Sequence, residues 1–148
     1  MNKNKGFSLV ELIVVVAIMA VLVGILAPAY LSYVEKTRRG ADEDMAEEVR
    51  HSIEVATAEI CVYDEVKGGK TYTFSNNQGI ANQIGETNLK ASMTDVYSDK
   101  AFTLKSKKYG GSTYSVSITA QSGGTGAALT VTGSWGGAAA GGGAASGT

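Results

Sequence analysis

The sequence predicts an α+β protein. A long N-terminal helix, membrane-spanning in its first half and amphipathic in its second, is expected to pack on a small antiparallel sheet of three to four strands. Three observations carry that prediction. Residues 12–34 form a run of twenty-three without a single charge, long enough at about 1.5 Å per residue to cross a hydrocarbon core of roughly 30 Å. Met45, Val49, Ile53, Ala56, Ile60 and Tyr63 then recur at steps of four, four, three, four and three, a helical stripe. From residue 71 the period drops to two, with apolar residues alternating with Thr, Ser and Lys.

The elements follow in order. Residues 1–6 are short and basic, with Lys3 and Lys5. The apolar run follows, and Glu11 stands at its threshold. Pro28 lacks the N–H that would bond Gly24, so a kink or local melting is expected between these two residues. Lys3 and Lys5 lie before the run and Lys36, Arg38 and Arg39 after it, so charge alone leaves the topology open. The stripe predicts one gently bent helix from about residue 7 to 64. Gly40 interrupts it, and Asp42 is an alternative start for a fresh helix. Lys67-Gly68-Gly69-Lys70 marks its end.

Strands are expected around Tyr72 and Phe74, around Phe102 and Leu104, from Tyr114 through Val116 and Ile118 to Ala120, and around Leu129 and Val131. Tyr109-Gly110-Gly111-Ser112 is a hairpin-turn candidate, and Ser122–Gly126 is a looser one. Residues 76–99 read as a connection with a short helix near Ile80–Ile84, anchored by Ile80, Ile84, Leu89, Met93 and Val96. The head is expected over 35–135. The last thirteen residues, 136–148, hold six Gly and five Ala and predict a mobile tail.

Composition narrows the function classes. At 148 residues and 15.3 kDa there is room for one domain, and thirteen basic against fourteen acidic residues give no reason to expect a nucleic-acid partner. The single Cys61 excludes an intramolecular disulfide, and with the single His51 it argues against zinc. Asp42-Glu43-Asp44 lacks the spacing of a calcium loop and reads as helix surface. No cofactor is expected. G-x-S-x-G, a Walker loop and H-E-x-x-H are all missing from the sequence, so nothing in it supports an enzyme. Seven Tyr, three Phe and one Trp show no dense aromatic path. Residues 35–66 carry ten acids and four bases, whereas four Lys and no acid follow Asp99. Complementary patches of this kind can steer packing between subunits, but a solvated helix and a Lys-protected strand edge are the preferred explanation.

A carboxylate inside an apolar span is a functional signal, because placing it there costs roughly 2.5–3.5 kcal/mol at mid-bilayer. Lys5-Gly6-Phe7-Ser8-Leu9-Val10-Glu11 resembles the prepilin processing motif of the type IV pilin and pseudopilin family. Pro28, Tyr30 and Tyr33 also fit the family, and the resemblance covers residues 1 to about 36 closely. It implies cleavage between Gly6 and Phe7 by a prepilin peptidase that also methylates the new amine of Phe7. It implies an axial-register role for Glu11 and a helix that can unwind near Gly24 and Pro28. The implied partners are further copies of the chain in a helical filament, the peptidase and methyltransferase, a platform protein and an assembly ATPase. The implied location is the cytoplasmic membrane as a single-pass protein before assembly, and an extracellular pilus afterwards. The lack of a cysteine pair departs from the usual Gram-negative pilin. The alternatives are a pseudopilin of a type II secretion or DNA-uptake machine, and a Sec-secreted or membrane-anchored β-rich binding module cut at Ala27-Pro28-Ala29.

Overall fold

The computed structural model describes residues 7–120 and 128–136. The expected leader 1–6, the Ser122–Gly126 turn and the tail beyond Gly136 lie outside the described residues. The chain divides into two units, one ending at Thr37 and the other beginning at Arg38.

Helix α1, Leu9–Ala56, runs through Gly24, Pro28 and Gly40 without a break in its helical assignment. Asp42 therefore starts no new helix. In the first unit its side chains are exposed almost throughout, from Phe7 to Tyr33. In the second unit one face turns to the core, with Ala46, Val49, Ile53 and Ala56 buried.

The expected continuation to residue 64 is replaced by a break. Thr57 Oγ1 donates to the Glu54 carbonyl at 2.7 Å, and the N–H groups of Ala58 and Glu59 bond three residues back instead of four. This tightening ends the helix. A second helix, α2, Ile60–Val66, then starts in a new phase, so that Val62 and Val66 face inward while Ile60 is 83% exposed. Ile60 and Tyr63 thus leave the predicted stripe.

The main sheet has the order β1-β4-β5, all antiparallel, with β1 Lys70–Phe74, β4 Thr113–Ala120 and β5 Leu129–Gly136. Strand β4 shows the predicted alternation: Tyr114, Val116 and Ile118 point inward, while Ser115 and Ser117 meet Thr73 and Thr71 of β1 through hydroxyl contacts of 3.2 and 3.1 Å. Register sets Phe74 opposite Tyr114, and Tyr114 opposite Trp135. A side chain at Gly133 would collide with the Tyr114 hydroxyl, so β5 needs glycine there for this close approach.

The other elements correct the reading of residues 76–112. The expected strand around Phe102 and Leu104 shrinks to β3, Ala101–Phe102, which pairs with β2, Gln78–Gly79, in a separate two-stranded sheet. Residues Tyr109–Ser112 therefore form a turn leading into β4 and not a hairpin from β3 to β4. The short helix near Ile80–Ile84 is one 3-10 turn, Ala81–Gln83. The longest element of the presumed connection is helix α3, Thr87–Tyr97, which buries Leu89, Met93 and Tyr97 at steps of four and leaves Val96 exposed.

A single core joins Ala46, Val49, Ile53 and Ala56 of α1 to the inner faces of the sheet, α2 and α3. The rings of Phe74, Phe102, Tyr114, Trp135 and Tyr109 are successive neighbours within it, Trp135 stacking on Tyr109 at 4.2 Å and tilting against Tyr114 at 5.0 Å. These aromatics are closer together than their spacing in the sequence suggests.

Candidate functional site

The site predicted from the sequence lies at the start of α1. Helix α1 begins at Leu9, two residues after Phe7, and Glu11 stands in its first turn. The backbone N–H of Ser8 donates to Glu11 Oε2 at 3.3 Å. Ser8 directly precedes the first helical residue and Glu11 is the third, so Ser8-Leu9-Val10-Glu11 forms the carboxylate half of a capping box. The serine-x-x-glutamate spacing was available in the sequence as a signal for this contact. The Glu11 carboxylate thus lies beside the backbone N–H that follows Phe7. A free amine on Phe7 would be one residue away from it.

Phe7 itself is 90% exposed. The large apolar side chains of the segment through Leu31, together with Tyr30 and Tyr33, are exposed as well, the least of them Val15 at 46%. A contiguous apolar surface of this length is not tolerated in water and requires lipid or other helices around it. By length and composition α1 is a candidate membrane span. At Gly24 a Cβ would meet nothing within 4 Å, so the glycine is not required by local packing in the single chain. Gly6, the residue before the expected cut, lies outside the described residues.

The head contains a second polar feature that sequence reasoning missed. Asp42, assigned to the helix surface, is buried at 1% exposure. Its two carboxylate oxygens accept the backbone N–H groups of Lys105 and Ser106, each at 2.8 Å. Next to it, Glu43 Oε1 accepts the Tyr109 hydroxyl at 2.7 Å, and Ser106 Oγ accepts the Tyr109 N–H at 3.2 Å. The loop between β3 and β4 is thereby pinned to α1. The signal was legible in the spacing: Asp42, Ala46, Val49, Ile53 and Ala56 step by four, three, four and three, so the buried stripe extends back to the aspartate. Asp44 is exposed, as expected.

The remaining candidates have local roles. Glu65 of α2 accepts the Asn88 and Leu89 N–H groups at the start of α3, at 3.1 and 3.3 Å. Cys61 is exposed with its Sγ 3.9 Å from Glu59 Oε2. His51 is exposed and lies 3.8 Å from Glu54 Oε2.

The chain joins an apolar helix, which begins at the Ser8–Glu11 contact, to a small α+β head. Residues 1–27 match the family model described as the prokaryotic N-terminal methylation motif. The chain is 29% identical over 98 residues to prepilin peptidase-dependent protein A of Clostridium perfringens, a match covering 64% of this chain and 70% of that one. It is 33% identical over 93 residues to the type IV major alpha-pilin of Moraxella bovis, covering 62% of this chain and 53% of the relative. A fimbrial protein of Moraxella nonliquefaciens is 38% identical over 53 residues, 36% of this chain and 34% of that one. The chain thus spans about half the length of the Moraxella bovis relative. No solved structure matches. The chain matches the N-terminal methylation motif over its first residues and is similar, over part of its length, to type IV pilins and fimbrial proteins.

Proposed function

We propose that the chain is made as a prepilin, cut between Gly6 and Phe7, N-methylated on Phe7, and polymerised into a surface filament. It is a structural subunit and not an enzyme. The observation that carries this reading is the placement of Glu11 beside the start of a fully exposed apolar helix. The same apolar surface serves twice: lipid covers it before assembly and neighbouring helices cover it afterwards. Glu11 supplies the one charged side chain between Phe7 and Val34. A neighbouring subunit displaced by about one helical turn would set its Phe7 amine against this carboxylate, and in a low-dielectric core either charge alone is costly. Gly24 and Pro28 form the proposed point at which α1 bends or unwinds in the assembled state.

The partners in this reading are other copies of the chain, the peptidase and methyltransferase, and, through the machinery, a platform protein and an assembly ATPase. The subunit waits in the cytoplasmic membrane with a single span. Neither the pseudopilin reading nor the secreted-module reading has an observation that favours it over a pilin.

The test is Glu11→Ala in the producing cells, with filament yield and membrane-retained subunit measured together. The variant is expected to be processed, to accumulate in the membrane, and to reduce filament incorporation by about tenfold or more, a loss of one interaction worth at least about 1.4 kcal/mol. Incorporation at the level of the unaltered chain would overturn the register role.

A further inference from the structure

The three-stranded sheet ends in two unlike edges. Strand β1 is closed off: Lys70 at its start pairs with Glu86 at 3.1 Å, and the N–H of Ser75, just past its end, donates to Gln83 Oε1 of the 3-10 turn that lies against it. Strand β5 is bonded to β4 on one side, and no described strand lies on the other. Its eight residues, Leu129–Gly136, include neither a charge nor a proline, the devices that ordinarily keep an edge from pairing with another chain. Thr130, Thr132 and Ser134 are exposed on the outer face. Leu129, Val131 and Trp135 reach the core only in part from the inner face. The charges of α1 that border the strand are already engaged, since Arg50, which lies against Gly133, pairs with Glu47 at 2.8 Å and with Glu54 at 3.0 Å.

The order of side chains along β5 suits a second copy of itself. Residues directly opposite in an antiparallel pair point to the same face, so a two-fold axis between two such strands must fall on one residue. With the axis at Thr132, Thr130 faces Ser134 of the second copy and Thr132 faces its own counterpart. This continues the hydroxyl pairs that already join β1 to β4, Thr73 with Ser115 and Thr71 with Ser117. On the inner face Leu129 meets Trp135 of the second copy, and Val131 meets Gly133, which brings no side chain of its own. Leu129 also borders an open depression of about 530 Å³ lined by Glu54, Thr57, Ala58 and Ile60, and the register brings Trp135 of the second copy to its rim. We infer that the open edge of β5 pairs antiparallel, in this register, with β5 of a second copy of the chain. Two three-stranded sheets thereby become one continuous sheet. A helical array is built from heterologous contacts, whereas this contact is two-fold and joins only a pair. It therefore adds to the filament contact proposed at Glu11 and does not depend on it.

The test uses the full chain with Cys61→Ser, which removes the native thiol, in detergent micelles under mild oxidation. Thr132→Cys is expected to form at least about tenfold more disulfide-linked dimer than Thr130→Cys, whose copies sit four residues, about 13 Å, apart in this register. Ser134→Cys alone should behave like Thr130→Cys, and an equal mixture of those two should cross-link. All three positions are exposed, so the fold should tolerate them. Amide exchange of the unaltered chain gives a second reading that needs no substitution. Residues 129–135 should exchange more slowly as the number of chains per micelle rises. Thr132→Lys, which sets two like charges on the axis, should abolish that dependence. Association through the apolar helices alone would raise all three cross-links equally, so equal yields at 130, 132 and 134 would overturn the register, as would no cross-link at any of them. Fast exchange at every concentration would overturn the pairing altogether. Slow exchange that does not vary with concentration would overturn it too, and would assign the edge to the chain's own residues.

Discussion

Two buried polar side chains in the head make opposite predictions. Asp42 satisfies two backbone donors, one of them on the buried Ser106, so removing its carboxylate leaves both without a partner. Asp42→Ala is expected to cost about 3 kcal/mol, in line with charge-assisted bonds to buried groups. Denaturant unfolding of the detergent-solubilised chain, read by near-UV signal, measures it. Tyr114 is the contrary case. Its hydroxyl is buried without a hydrogen-bond partner among the described residues. Burial, and secondarily the nearby Glu47, push its phenol up to about 12, with Arg50 opposing. A phenol whose folded value lies above its unfolded value of about 10 stabilises the fold fully below pH 10. That contribution is lost as pH climbs toward 12. Tyr114→Phe is expected to leave stability unchanged or raise it by up to about 1 kcal/mol at neutral pH, because it removes an unsatisfied group. It should also flatten the alkaline loss above pH 10, which an unfolding series in pH reads directly.

At the scale of elements, the break after Ala56 decides which face of the following helix is core. Val62 is fully buried and Ile60 is 83% exposed. Val62→Ala is therefore expected to cost about 2 kcal/mol, and Ile60→Ser to stay within about 0.5 kcal/mol. The continuous helix expected from the sequence predicts the reverse order, so the pair of unfolding measurements discriminates between the two phases. Nothing in Thr57-Ala58-Glu59 signals a stop: no Gly or Pro is present, and the break depends on Thr57 bonding the Glu54 carbonyl. Helix α3 was obscure for a related reason. Asn, Thr, Ser and Asp fill its exposed positions, and its inward residues Leu89, Met93 and Tyr97 were visible only as scattered anchors. Strand β4 was legible because its alternation holds from Thr113 to Ile118, with Tyr114, Val116 and Ile118 buried on one face. The two-residue strands β2 and β3 are too short to show any period.

For the molecule as a whole, the apolar segment and the head answer different physical demands. The head closes its own core, with Val49, Ile53, Phe74, Leu89 and Val116 entirely removed from solvent. The segment before Arg38 buries nothing within the single chain and is stable only against lipid or other helices. That contrast could be read from the sequence, because it depends on a long uncharged run and needs no tertiary detail. The Glu11 signal was equally plain, a lone acid at fixed distance from Gly6-Phe7. The stripe reached back to Asp42, but the partners of its carboxylate were hidden, since they are backbone groups more than sixty residues away. The central claim is that this chain becomes a filament subunit by losing its leader at Gly6. Intact mass and N-terminal sequencing of the protein from the cells that make it test this most directly. The account predicts a chain beginning at N-methylated Phe7. A chain beginning at Tyr30, cut behind Ala27-Pro28-Ala29, would contradict it, because Glu11 and the apolar helix would then be absent from the mature protein.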